Sequence, residues 1–514
     1  MDPFSLIPDD NIFEIALFEP ISSINQVCQS SIRFYNLICN NNAFWRQKFL
    51  LDYGPPEVNI VLWKKAYHNY GRIVGFGDNH FGQLGLSDHI RRFVPTEIPG
   101  ISTQISKFNA QIPTGIPGIY TQQQNKKIPE SHVKVVSCGG RFTIAIDLKK
   151  NAWSFGNNEY GQLGIGIPLD RSYPTKIRNI QAKSVACGSN HTIIIDMSGT
   201  IWGFGSNLHE QLGLRDRYII IPTKIAEIVA KSVACGDHHT IIIDIDNNVW
   251  SMGFNDFGQR GLGDRQNRDY MTQIPGLKAK TVSCGFDHTA IVDLDNNVWT
   301  FGNNTFGQLG LGDIVDRSSP TQIVGMQAKN VACGRNHTII LDMDDKVWAF
   351  GANHYGQLGL GDTRLKLVPT QIESLIGKFI SCGYDSTVII DNSNVVWYFG
   401  YNNFQQLGPN ETEDDLIHIL SPTQIPNIKG QSASCGEGHI MIILSLDQEF
   451  MISYDETCRK LNAGDFLRFD ILEEYQVLKR NSENVIASFY DINGNIYLAE
   501  IQHDRETNQI FPPV

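Results

Sequence analysis

The sequence predicts an all-β fold: a β-propeller of seven four-stranded blades, each built from a repeat of about 49 residues. Three observations lead there. A Cys-Gly pair recurs at Cys138, Cys187, Cys235, Cys284, Cys333, Cys382 and Cys435, at intervals of 48 or 49 residues and 53 for the last. A tryptophan series, Trp153, Trp202, Trp250, Trp299, Trp348 and Trp397, keeps the same period. Seven loops begin at Gly77, Gly156, Gly205, Gly253, Gly302, Gly351 and Gly400. A fixed period of this length marks a solenoid, propeller or array.

The unit itself reads as strands. His239–Asp244 is a short apolar run rich in β-branched residues, too short for a helix and apolar on both faces, as a strand buried between sheets should be. Asp246, Asn247 and Asn248 supply turn chemistry, and Val249–Met252 returns as the second arm of a hairpin. Residues 232–236 and 222–225 give two more short strands. Four strands per repeat without a helix describe a propeller blade, and closing the ring removes exposed sheet edges.

Composition agrees. A chain of 514 residues is too long for one ordinary core, and 41% hydrophobic with 19% charged residues is globular. The 46 glycines imply many turns. A net charge of −12 repels phosphate backbones, so no nucleic-acid partner is expected. The opening residues carry acids where a secretory signal needs bases, and apolar runs such as 192–195 stop at Asp196. The expectation is an intracellular protein, cytoplasmic or nuclear, with no membrane partner and with its ten cysteines reduced.

The repeated residues have structural work to do. Gly156 and its equivalents let a strand end turn and pack closely on the next blade, Gly161 opens the Gly-Gln-Leu-Gly loop, and Asn157, Asn304 and Asn353 bond their own turns. His191, His239, His288 and His337 are strand histidines expected to bond backbone groups. Trp202, Trp250, Trp299 and Trp348 are expected to bury large areas between blades. Gly-Gln-Leu-Gly, Cys-Gly-x-x-His-Thr and Val-Trp-x-Phe-Gly together resemble the regulator of chromosome condensation repeat family over roughly residues 70–453. That resemblance implies a seven-bladed propeller. Individual copies lapse: Glu210 and Gln405 replace a loop glycine, Arg260 replaces the loop leucine, and Phe142 and Ser386 replace the histidine.

Two segments compete to complete the last blade. Ile73–Gly77 begins the series with Val74 in the Trp place, and residues 450–453 end it. The first continues into an intact loop and is therefore expected to close the ring.

Four regions organise the chain: 1–53, a linker helix at 54–70, the propeller at 71–453 with an insertion at 99–130, and a small β appendage at 454–514. Residues 1–53 show 3–4 spacing of apolar residues, the mark of short amphipathic helices. Ile7-Pro8, Val27-Cys28 and Phe44-Trp45 resemble an F-box, with Ile7 where that pattern has Leu. The resemblance implies binding to a Skp-type adaptor, and through it a cullin ubiquitin ligase, by Ile7, Pro8, Ile12, Ile15, Val27, Cys28, Phe44 and Trp45. The Pro409–Ile419 loop is acidic, and Val485–Tyr490 with Ile496–Tyr497 form a hairpin signal.

No catalytic constellation, metal site or cofactor motif emerges. There is no Cys-x-x-Cys, no P-loop, and Gly75-Phe76-Gly77 lacks the setting of a dinucleotide loop. Asp196, Asp244, Asp293 and Asp342 recur with the repeat and read as turn residues. The expected role is binding of proteins, foremost as a substrate-recruiting ligase component. The alternatives are a guanine-nucleotide exchange factor for a Ran-type small GTPase, which the repeat resemblance implies, and a propeller scaffold without a ligase link.

Overall fold

The computed structural model describes residues 72–98, 133–402 and 418–445 in full, and the strands Tyr475–Arg480, Asn484–Tyr490, Ile496–His503 and Ile510–Phe511. Among these residues every regular element is a strand. The chain divides into two units, 1–448 and 449–514.

In the first unit the strands sort into seven antiparallel sheets. The first blade runs Val133–Cys138, Phe142–Asp147, Asn151–Gly156, then the leading half of Arg171–Cys187. That last strand pairs with Asn151–Gly156 through residues such as Arg171 and Thr175, and with His191–Asp196 through Ala182–Cys187. It is thus the outer strand of one blade and the inner strand of the next. Arg268–Cys284, Arg317–Cys333 and His418–Cys435 do the same. Between the second and third strands lies the expected tight turn, with Asn247 at φ 63°.

The second strand of each blade is the dry centre. His239–Asp244 is buried along its whole length, and so is Phe142–Asp147. Burial on both faces explains why these runs are continuous in Ile and Val rather than alternating.

The N-terminal strand closes the ring. Ile73–Gly77 lies antiparallel to His439–Leu444, with Ile73 opposite Ile443 and Gly77 opposite His439, and pairs on its other side with Arg92–Glu97. The last blade is therefore made from both ends of the propeller sequence. Val74, Phe76, Ile440 and Ile442 share one buried cluster there. Residues 450–453, the other contender, lie outside the described residues.

Ring closure is also visible at the axis. A Cβ built on the glycine of each Cys-Gly pair would sit 2.4–2.7 Å from the carbonyl oxygen of the corresponding glycine in the next blade, from Gly139 through to Gly436 and back to Gly139. Only glycine lets seven inner strands crowd this closely.

The second unit holds an antiparallel sheet of the four strands from Tyr475 to Phe511 in chain order. The expected hairpin is there, Val485 facing Ile501 and Tyr490 facing Ile496. The F-box-like residues Ile7, Pro8, Ile12, Ile15, Val27, Cys28, Phe44 and Trp45, the linker 54–70, the insertion 99–130 and most of the Pro409–Ile419 loop lie outside the described residues.

Candidate functional site

Antiparallel order puts two loops of every blade on one face. The Cys-Gly loop joins the inner strand to the second, and the Gly-Gln loop joins the third to the outer. The turns at Asp-x-Asn and the crossovers to the next blade fall on the other face.

The repeated side chains lock these loops in place. His191 Nε2 lies 3.1 Å from Thr240 Oγ1 in the next blade. His239–Thr289, His288–Thr338, His337–Thr387 and His439–Thr143 repeat the contact at 2.9–3.0 Å. Each threonine hydroxyl donates to the carbonyl of a loop glutamine, such as Thr240 to Gln211 and Thr338 to Gln308. Its proton is thereby committed, so the hydroxyl accepts from the histidine Nε2–H. The histidine partner is thus a side chain of the neighbouring blade, not a backbone group as the sequence suggested. Burial pulls these histidines down, to about 3 for His191, His239, His288 and His337 and, with Asp78 partly offsetting it, about 4 for His439. They are neutral ties between blades.

The glutamine side chain completes the loop: Gln308 Oε1 accepts from Phe306 N at 2.9 Å, while Asn304 Oδ1 accepts from Leu309 N at 2.9 Å. In the first blade this asparagine role belongs to Asn158, not Asn157; Asn157 Oδ1 instead accepts from Gln162. Gly161 sits at φ 82°, and its Cβ would fall 2.9 Å from Ile220 Cα in the next blade. Gly156, at φ 108°, would clash with Phe142 of its own blade, so the close approach there is within the blade.

The tryptophans also differ from expectation. Trp202, Trp250, Trp299 and Trp348 are only half-buried, and each donates Nε1 to the aspartate six residues earlier, as Trp250 does to Asp244 at 2.8 Å. Those aspartates also accept from turn amides. The fully buried aromatic is the phenylalanine two residues on, Phe204, Phe301 or Phe350, against a loop glycine of the preceding blade.

On this constant frame the loop tips vary. The residue after Cys-Gly is Gly140, Ser189, Asp237, Phe286, Arg335, Tyr384 or Glu437, a ring around the axis. Tyr384 OH and Ser189 Oγ hydrogen-bond across it. Below them is a cavity of about 390 Å³ lined by the Cys-Gly strands of all seven blades. Arg335 lies 5.0 Å from the Phe286 ring centroid, and Arg141 pairs with Glu437 at 2.9 Å. The cysteines below are free, and burial raises their thiols, to about 12 for Cys187, so they are not poised nucleophiles.

A second cluster spans the loops of the second, third and fourth blades. The rings of His209 and His238 lie tilted by 32° with centroids 4.1 Å apart, and Phe254 and Phe286 meet them edge-on. His238 Nε2 lies 3.0 Å from Asp237 Oδ2. Burial would lower His238, but the bond to Asp237 outweighs it and raises the ring. Burial, with repulsion from Asp237, lifts Asp287 to about 6. Among the described residues no group of His, Cys, Asp or Glu is arranged to hold a metal ion, and no helix is long and apolar enough to cross a membrane.

Sequence reasoning missed the threonine and glutamine roles, although a signal existed. Where Ser386 replaces histidine, the next blade has Ile440 in place of threonine, and where Leu444 replaces the aspartate, Val74 replaces its tryptophan. Paired losses of this kind point to contacts.

Known proteins share these features. Residues 108–329 match the RCC1-like domain, and residues 344–390 and 393–443 match the regulator of chromosome condensation (RCC1) repeat. Over 105 residues the chain is 32% identical to the ultraviolet-B receptor UVR8 of Arabidopsis thaliana, which is 20% of this chain and 18% of that protein, so it spans about a fifth of that relative's length. Prp20p from Saccharomyces cerevisiae, a structure described with its binding properties to Gsp1p and histones, superposes at a TM-score of 0.60 with 19% identity, over 75% of this chain and 94% of that one. Human WBSCR16 superposes at 0.58 with 19% identity, over 72% and 98%. With its repeat motifs, seven closed blades and these matches, the chain belongs to the RCC1-repeat β-propellers.

Proposed function

We propose that the loop face holds a protein partner and that residues 1–53 join it to a Skp-type adaptor, making the chain a substrate-recruiting component of a cullin ubiquitin ligase. The observation that carries the first half is the loop frame: the same His–Thr tie recurs in five of the seven blades, beneath tips whose residues differ in size, charge and aromaticity. Variable tips on a rigid scaffold suit recognition rather than chemistry. The second half rests on the F-box-like pattern of Ile7, Pro8, Ile12, Ile15, Val27, Cys28, Phe44 and Trp45. The proposed organisation is an adaptor-binding region at 1–53, a linker at 54–70, the propeller at 71–453 and an appendage at 454–514.

The test is co-purification of the full chain with a Skp-type adaptor. Capture that is lost with Pro8→Ala and Trp45→Ala together supports the reading; no capture, or capture indifferent to both, defeats the ligase half. A second reading, nucleotide exchange on a Ran-type small GTPase, draws support from the fold shared with Prp20p. Accelerated nucleotide release from a purified GTPase would favour it. A chain that does neither is a propeller scaffold.

A further inference from the structure

Resting on the loop-face reading, we infer that the cluster over the second to fourth blades is a docking site for an arginine-bearing segment of a partner protein. Three independent features converge on it.

The first is charge. Asp237 and Asp256 both lie close enough to Asp287 for their charges to repel its own. Asp237 is buried, Asp287 half-buried and Asp256 exposed, so they form a graded entry from solvent. The two arginines of the central tips are already engaged, Arg141 with Glu437 and Arg335 over Phe286. Asp287 is held by the neutral amide of Gln259, at 2.9 Å. A buried and a half-buried carboxylate, with only His238 bonded to the first and a neutral amide to the second, favour a cation.

The second is the aromatic wall. Phe254 and Phe286 meet the paired histidines edge-on, and Phe257 packs behind Phe254. Arg335 on Phe286 shows that this face already accommodates a guanidinium on an aromatic ring. A planar guanidinium matches carboxylate and ring together, which an ammonium does less well.

The third is a pair of unmet polar atoms beneath the rings. Gln211 is fully buried, and its Nε2 has no partner among the described residues. In the third and fifth blades the equivalent amides of Gln259 and Gln357 donate to Asp287 and Asp385. By that register the Gln211 amide is aimed at His238, whose Nδ1 also lacks a partner. Both atoms are buried in this conformation, so a docked segment meets them only once the His238 ring swings aside; a peptide backbone, carrying a donor and an acceptor on each residue, then satisfies both. This distinguishes a peptide segment from a free amine.

The test uses the full chain and three fluorescent Gly/Ser-spaced peptides, carrying arginine, lysine or glutamate, in anisotropy titrations. Asp287→Asn combined with Asp256→Asn is the perturbing variant. Asn190 and Asn336 already occupy the position of Asp287 in other blades, so the fold tolerates it. Asp256→Asn alone changes an exposed side chain and serves if the pair unfolds. The control is Glu373→Gln with Asp344→Asn, both exposed and away from the loop face. The expected result is that the arginine peptide binds, lysine binds more weakly, glutamate does not, and the Asp287/Asp256 variant weakens binding at least about tenfold, as loss of a charged hydrogen bond should. Equal weakening by the control, unchanged binding by the variant, or a glutamate peptide bound as tightly overturns the inference. Hydrogen exchange separates the two readings. Peptide protection on loop tips that survives the double variant overturns this inference and keeps the loop face; protection confined to the outer strands overturns both.

Discussion

Acidification should open the propeller well above the range in which carboxylates ordinarily titrate. Five fully buried histidines bridge neighbouring blades, and each is pulled from 6.5 to about 3 or 4 by burial. Between those values the unfolded chain binds more protons than the folded one, so stability falls as pH falls below 6.5. For one such histidine the loss between pH 7.5 and pH 5 is about 2 kcal/mol. Five together lose roughly 10 kcal/mol, comparable to the whole stability of an ordinary domain. Asp287 opposes this. Its folded value of about 6 lies above its ordinary 3.8, so it gains stability as pH falls through 6. Its share is about 1 kcal/mol by pH 5, less after solvent screening. The groups held low, such as Asp362 at about 2, matter only below that window. The assay is the unfolding midpoint, followed by tryptophan fluorescence from pH 7.5 to 5, for wild type and His288→Phe. Phe142 already fills that position in the first blade. Wild type should lose its midpoint steeply below pH 6.5, and the variant should show a slope shallower by one histidine. A flat wild-type profile, or parallel profiles, would refute the reasoning.

Three further outcomes follow from the same contacts. Thr338→Val strands the His288 Nε2–H and the Gln308 carbonyl, both buried, and should cost about 2–4 kcal/mol in chemical denaturation; a cost below about 0.5 kcal/mol would contradict the tie. Arg260→Leu should stabilise by about 1–3 kcal/mol, because Arg260 is fully buried with Nε unpartnered, and Ser251 Oγ lacks the bond that Ser154 and Thr300 make to the loop leucine carbonyl. A lower melting point for that variant would refute it. Gly285→Ala, whose Cβ would meet His288 at 2.2 Å and Gly334 O at 2.4 Å, should lower the melting point more than Gly276→Ala, which meets nothing within 4 Å.

The fold was legible because a propeller writes its geometry into the sequence once per blade. Cys-Gly, His-Thr and the Gly-Gln loop mark strand ends, and the unbroken β-branched runs mark strands dry on both faces. The closing strand was legible too, because Ile73–Gly77 carries an intact loop behind it. Partners were not. A histidine followed by threonine gives no hint that its bond is to the threonine about 50 residues on, since the separation is set by blade-to-blade packing. The size of tryptophan suggests full burial, but Trp202, Trp250, Trp299 and Trp348 stay half-buried while donating Nε1–H to the aspartate six residues earlier. The loop-face cluster was least legible. His209, Asp237, Phe254 and Asp287 come from four loops, and only the register of adjacent blades brings them together.

The ring is closed because both ends of the propeller sequence share one blade. Hydrogen exchange read by mass spectrometry on the full chain tests this directly. Amides of Ile73–Gly77 should be protected to the same degree as those of His439–Leu444, since they form one sheet. Rapid exchange in Ile73–Gly77, with protection appearing instead in residues 450–453, would contradict the closed ring described above.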